Sequence, residues 1–168
     1  MAAVEQLLRA VDAVAEQGEE AVLATVVKVE GSAYRRPGAR MLITALGQTE
    51  GTISGGCLES EVARTAWWLT ESGPALRSYS TADDEEDGDV AVSFGLGCNG
   101  KVHILFERID APAGRVLLRG LRALQADGEG RALATLVSAS PDLGQRQLLN
   151  PDGGLEGQLP QALQAPVQ

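Results

Sequence analysis

Soft metal ligands and redox-active residues are scarce in this chain. Among its 168 residues are two cysteines, Cys57 and Cys98, and one histidine, His103. The cysteines share no CxxC spacing, and with a single histidine they fall short of a Cys/His zinc set. In a reducing cytosol, two isolated cysteines read as free thiols and not as a structural disulfide. With one candidate base in the whole chain, no Ser/His/acid set is suggested. Long apolar runs are also missing, since none approaches the ~18 residues needed to cross a bilayer. The opening MAAVEQLLRAVDAV carries Glu5 and Asp12, so it reads as an amphipathic helix and not as a secretory signal. The cytoplasm is the expected compartment. A basic face is absent as well: the formal charge is −9, which argues against broad nucleic-acid binding.

That charge is unevenly spread. Six acids crowd into one stretch, Asp83, Asp84, Glu85, Glu86, Asp87 and Asp89, and without them −3 remains. The densest positive charge lies in Lys28 to Arg40, with Arg35, Arg36 and Arg40. A local site for a phosphate-bearing small molecule is compatible with this pattern, because such fields act over about a Debye length, ~8–10 Å. The acidic stretch itself reads as a solvated loop. The apolar fraction of 44% and charged fraction of 22% fit a soluble globular protein with one core.

Periodicity organises the chain. Val4, Leu7, Leu8, Val11, Val14 and Ala15 recur at helical spacing until Gly18 stops them. The run Ala21 to Val29 is too continuously apolar for a half-exposed strand, so it reads as a central strand covered on both faces. Met41 to Ala45 and Thr49 to Ile53 flank Gly47-Gln48 and predict a hairpin. A helix follows from about Cys57 to Ser72, with Gly56 as N-cap, and Gly73-Pro74 ends it. Strands are expected at Leu76 to Ser80, Val90 to Phe94 and Lys101 to Glu107. A third helix, Val116 to Ala126, precedes strands Arg131 to Ser138 and Arg146 to Leu149. These elements predict a single layered α/β or α+β domain, with a mixed sheet and about three helices, over residues 1–150. The Gly-, Pro- and Gln-rich remainder, 151–168, has the composition of a linker or tail.

Three stretches could carry chemistry. GSAYRRPGAR (31–40) places three arginines on a loop directly after a buried strand, which suits an oxyanion or simply makes a solvated turn. GTISGGCLE (51–59) runs strand, glycine turn, cysteine, helix. Backbone N–H groups at a helix start bind anions, and the same positive end favours the Cys57 thiolate; the plainer alternative is a small cysteine at a tight turn. FGLGCNG (94–100) satisfies GxGxxG literally through Gly95, Gly97 and Gly100. That fingerprint needs a helix after it, whereas Lys101 to Glu107 reads as a strand, so no Rossmann dinucleotide site is expected here. What remains is a glycine loop carrying Cys98 beside Asn99. His103, on a strand, reads as a surface or satisfied residue. On the second helix, Leu58, Val62, Thr65, Ala66 and Leu69 share one face at ~100° per residue. Trp67 then falls roughly opposite that face and Trp68 on its flank, predicting a subunit or domain interface, or a helix buried on both sides.

Taken in order, ATVVKVEGSAYRRPGARMLI (24–43), GTISGGCLESEV (51–62) and FGLGCNGKVHILFE (94–107) resemble the N-terminal domain of the XdhC/CoxI family. The resemblance covers Ala24 to Glu107, and continues to about Asn150 only in general pattern. It implies a maturation factor with no turnover of its own, a chaperone for molybdenum hydroxylases such as xanthine dehydrogenase and carbon monoxide dehydrogenase. Such a factor binds the molybdenum cofactor (molybdopterin) transiently, supports its sulfuration with a cysteine desulfurase, and delivers it to the apo hydroxylase. On that resemblance Arg35, Arg36 and Arg40 would hold phosphate. Ser54, Gly55, Gly56 and Cys57 would meet the anionic or metal end, and Gly97, Cys98 and Asn99 would complete the site. Cys57 and Cys98 are the candidate molybdenum contacts, and Trp67 and Trp68 the candidate homodimer contacts. Family members commonly add a C-terminal Rossmann-like domain, and this chain is expected to be an isolated domain or a short paralogue. Two other readings stand beside the carrier: a thiol-dependent oxidoreductase or sulfur-relay protein using Cys57 and Cys98, and a structural dimerisation domain whose glycine loops serve only tight turns.

Overall fold

The computed structural model describes residues 2–31, 35–80, 100–126 and 131–163. Helix α1 (Ala2–Glu16) is closed by Gly18, whose φ of 66° only glycine adopts freely. Strands β1 (Ala21–Gly31), β2 (Arg40–Thr44) and β3 (Thr49–Gly51) follow, then α2 (Glu59–Leu69), β4 (Ala75–Ser80) and β5 (Gly100–Arg108). Five strands form one antiparallel sheet in the order β3-β2-β1-β5-β4. Helix α3 (Pro112–Ala126) then leads to β6 (Ala132–Thr135), β7 (Arg146–Leu149) and β8 (Leu155–Gln158), which form a second antiparallel sheet in chain order.

The continuous apolar run of β1 is explained by its central place. Val22, Ala24 and Val26 face one side and meet Met41, Ile43, Ile104 and Phe106, with Leu58, Val62 and Ala66 of α2 above them. Ala21 and Leu23 face the other side and pack under Leu7, Val11 and Val14 of α1 and Leu117, Leu118 and Leu121 of α3. Each side chain alternates between two buried faces, so neither face requires polar residues. Between Val26 and Lys28 the register of β1 against β5 slips, as at a bulge.

The layered class with three helices is borne out. Where one mixed sheet was expected, however, the described strands make two sheets, both antiparallel. Helix α2 starts later than expected: its N-cap is Leu58, so Gly56 belongs to the turn before it. Helix α3 begins earlier, at Pro112, where a proline costs no intrahelical hydrogen bond. The stretch beyond Asn150, read as tail or linker, supplies β8, which pairs Leu149 with Leu155 and Arg146 with Gln158. The strand expected at Val90 to Phe94 lies outside the described residues. Among the described residues no helix is long and apolar enough to cross a membrane.

Candidate functional site

Strand register brings the sequence-distant stretches to one end of the large sheet. The arginine loop leaves β1 after Gly31, which pairs with Gly100 at the start of β5. It returns at Arg40, paired with Thr25. The glycine turn leaves β3 at Gly51, paired with Met41 beside Arg40. The two loops also touch, since Arg35 Nε donates to the Ser54 carbonyl at 3.4 Å. Backbone hydrogen bonds from Gly38 N to Val26 O and from Val26 N to Ala39 O pin the return of the arginine loop to β1. Arg35 and Arg36 are exposed on it, as are Gly55 and Gly56 opposite, while Cys57 is half-buried with a free thiol.

The turn is organised by Glu59, the first residue of α2. Glu59 Oε1 accepts from Ser54 N at 2.9 Å, Ile53 N at 3.3 Å and Thr52 Oγ1 at 2.6 Å. Ser54 Oγ donates to Glu59 Oε2, and as an acceptor it receives Gly56 N at 3.1 Å and Leu58 N at 3.2 Å. The Cys57 Sγ lies 3.5 Å from that same oxygen. Burial would raise the Glu59 pKa, yet the hydrogen bonds from Ser54 and Thr52 outweigh it and hold the group down at about 2. Ser54 and Glu59 are five residues apart and the N-cap is Leu58, so the three-residue capping-box spacing does not mark this pair in the sequence.

This arrangement corrects two of the expected roles. Ser54 is 6% exposed, and its hydroxyl is engaged by Glu59, Gly56 and Leu58, so it is committed to shaping the turn. The N–H groups of Ile53, Ser54, Gly56 and Leu58 are taken up inside the turn, which shrinks the anion site expected at the helix start. Gly56 itself has a φ of 113°, and nothing lies within 4 Å of where a Cβ would sit, so this turn keeps an open approach.

Arg40 is a third correction. It shares the sheet face of its neighbour Leu42, and its guanidinium lies in the field of Arg146 and Glu107. Burial first, and Arg146 second, push its pKa down. Its Nη1 donates to Gly38 O at 2.9 Å, and its Nε is buried without a partner. Arg40 therefore does not join Arg35 and Arg36: strand alternation sends it to the opposite side of the loop's base.

Trp67, expected to point away from the core, is instead half-buried against it. Its Nε1 donates to Thr44 O at 3.0 Å, and the Arg108 guanidinium lies 4.0 Å from its ring centre. Trp68 is the exposed one, at 64%. Gly97, Cys98 and Asn99 lie outside the described residues, so the distance from Cys57 to Cys98 is not described. Gly100, the last glycine of the GxGxxG match, opens β5 and not a helix. Among the described residues no three His, Cys, Asp or Glu side chains group as a metal would require.

His103 makes a contact that spacing along the chain could not reveal. Its Nδ1 and the Ser78 hydroxyl are 2.8 Å apart, and its Nε2 and Glu30 Oε1 are also 2.8 Å apart. Lys28 Nζ approaches the same carboxylate at 2.6 Å and holds its pKa down, with His103 adding to the effect. Serine, histidine and acid thus stand in line across β4, β5 and β1. Ser78 sits within β4, in the ladder that pairs it with His103. The line is a cross-strand polar ladder, and it agrees with His103 as a satisfied residue.

Comparison with known proteins narrows the reading. The XdhC and CoxI family matches residues 14–80, a span that holds both the arginine loop and the Cys57 turn. A probable xanthine dehydrogenase subunit of Bacillus subtilis (strain 168) is 44% identical over 99 residues, 58% of this chain and 29% of that protein. A crystal structure of a xanthine dehydrogenase from Bacillus halodurans is 27% identical and superposes with a TM-score of 0.68, covering 90% of this chain and 44% of that one. The chain therefore spans less than half the length of either relative.

Proposed function

We infer, from the match of residues 14–80 to the XdhC and CoxI family, that this chain binds and hands on the molybdenum cofactor during maturation of a xanthine dehydrogenase-type hydroxylase. The observation that carries this reading is the joining of the arginine loop to the cysteine turn at one sheet end, through Arg35 and the Ser54 carbonyl. The residues present suit such a cofactor. Arg35 and Arg36 offer exposed guanidinium groups to a phosphate, which a planar fork binds in pairs of hydrogen bonds. Gly55 and Gly56 leave room for a close approach of the backbone, and Cys57 presents a soft sulfur ligand beside them. The cofactor when bound would supply the molybdenum centre, while the chain orients it and shields one side. An apo hydroxylase and a cysteine desulfurase are the proposed partners, and Cys98 the proposed second thiol.

Self-association is a further part of this reading, supported by Trp68. Its ring borders a groove of about 120 Å³ that also involves Leu69 and Tyr79. A large exposed apolar side chain beside a groove marks a contact surface.

The test mixes purified protein, under anaerobic conditions, with cofactor released from a donor molybdenum enzyme, and follows co-elution of pterin fluorescence and molybdenum. Stoichiometric retention is expected, with loss in Cys57→Ser and in Arg35→Ala or Arg36→Ala but not in Arg40→Gln. Retention unchanged by the first three substitutions would remove the site from this end of the sheet.

A further inference from the structure

The β6-β7-β8 sheet is held to the rest of the molecule by unlike contacts. Its apolar hold is slight: Leu148, at 2% exposure, is the one buried apolar side chain of its three strands. Leu148 and Leu133 pack over Gly120 of α3, where an added Cβ would lie 3.4 Å from Leu148 Cδ1. The other deep contact is ionic. Arg146 of β7 and Glu107 of β5 are each 2% exposed, and Arg146 Nη2 donates to Glu107 Oε2 at 2.7 Å. Arg146 Nη1 also donates to Ala113 O at 3.1 Å, which ties β7 to the first turn of α3.

Around this pair, polar atoms are sealed in without partners. Glu107 Oε1, Arg146 Nε, Arg40 Nε and Thr25 Oγ1 are all buried and make no hydrogen bond. Two guanidinium groups and one carboxylate leave the cluster positively charged. The desolvation of such a pair offsets most of its attraction, so its net contribution to docking is small. Each unmet donor or acceptor lowers that contribution further. Breaking one partner alone is a different matter, because the survivor is then a buried charge with no counterpart. The contact therefore fixes where the sheet docks while adding little to how tightly it docks.

We propose that the β6-β7-β8 sheet is a releasable unit, latched by Glu107 and Arg146, which leaves α3 and β5 while the five-stranded sheet stays folded. Release lets water reach both latch residues, and it uncovers the side of α3 around Val116 and Gly120. Local openings of this kind follow regions with few buried apolar contacts.

The test is native-state hydrogen exchange by mass spectrometry on the full chain, over a series of low denaturant concentrations. Amides of β6, β7 and β8 are expected to exchange through an opening that depends weakly on denaturant, ahead of those in β1 and β5. Glu107→Gln leaves the Arg146 charge unpaired only while the sheet is docked, so exchange in β6 to β8 should rise on the order of a hundredfold. Exchange in β1 should change far less. If β7 and β1 in the native protein share one opening with one denaturant dependence, the sheet belongs to the global unit and the proposal is overturned. Exchange in β7 unaltered by Glu107→Gln would overturn the latch. Should that variant fail to fold, the native-protein comparison decides alone.

Discussion

Replacing Glu59 by glutamine tests whether a carboxylate charge organises the cysteine turn. In the native turn Glu59 accepts hydrogen bonds from Ser54, Ile53 and Thr52, and its pKa falls from 4.5 to about 2. At ~1.4 kcal/mol per pKa unit, that difference corresponds to an upper limit of roughly 3 kcal/mol. Glu59 is only partly buried, so solvent screening reduces the expected loss on substitution to about 1–2 kcal/mol. The folded pKa is the depressed one, so the contribution is fully present above the unfolded value of 4.5. It drains away as pH falls through the folded value of about 2, because protons then bind both states alike. Urea unfolding of the native chain and Glu59→Gln near neutral pH should show the full gap. The gap should narrow steadily below about pH 4 and nearly close at about pH 2. A gap of constant size across that range would show that shape, and not charge, accounts for the effect. No gap at neutral pH would refute the role of Glu59 altogether.

Two other perturbations follow from the geometry. Gly51 and Gly56 both have positive φ, but a Cβ at Gly51 would lie 2.4 Å from the Arg40 carbonyl oxygen, whereas at Gly56 it meets nothing within 4 Å. Thermal unfolding should show Gly56→Ala costing about 1–2 kcal/mol of backbone strain and Gly51→Ala clearly more, since the β2–β3 pairing must also shift. Trp67→Ala removes a packed ring, its hydrogen bond to Thr44 and its contact with Arg108, and should cost about 3 kcal/mol in chemical denaturation. Trp68→Ala should stay within ~0.5 kcal/mol, and any effect should fall on self-association measured by sedimentation.

The contrast between the tryptophans shows where one-dimensional reasoning stops. Helical phase correctly gave α2 a face of Leu58, Val62 and Ala66. Phase alone measures angle around one axis, however, and it cannot see that Thr44 of β2 and Arg108 of β5 reach the side of that helix. The same limit applies to Arg40. Three arginines within six residues looked like one cluster, yet Arg40 had already entered β2, where alternation turns it toward Glu107 and Arg146. His103, Ser78 and Glu30 meet only because β4, β5 and β1 lie side by side in register.

Features that local chemistry encodes could be read directly from the order of residues. The apolar run of β1 required cover on both faces, Gly18 stopped α1, and Gly100 led into a strand. The arginine loop, the glycine turn and Cys57 were legible too, because residue type and short spacing suffice to mark them. Only the tertiary structure decided which of those groups share a space. It joined Arg35 to the Ser54 carbonyl, withdrew Ser54 from the solvent side, brought Arg40 into the field of Glu107 and Arg146, and buried Glu107 against Arg146 from a strand nearly forty residues away. The reason is physical: the partners of a buried polar group are set by strand order and register, which depend on how the whole apolar surface is covered.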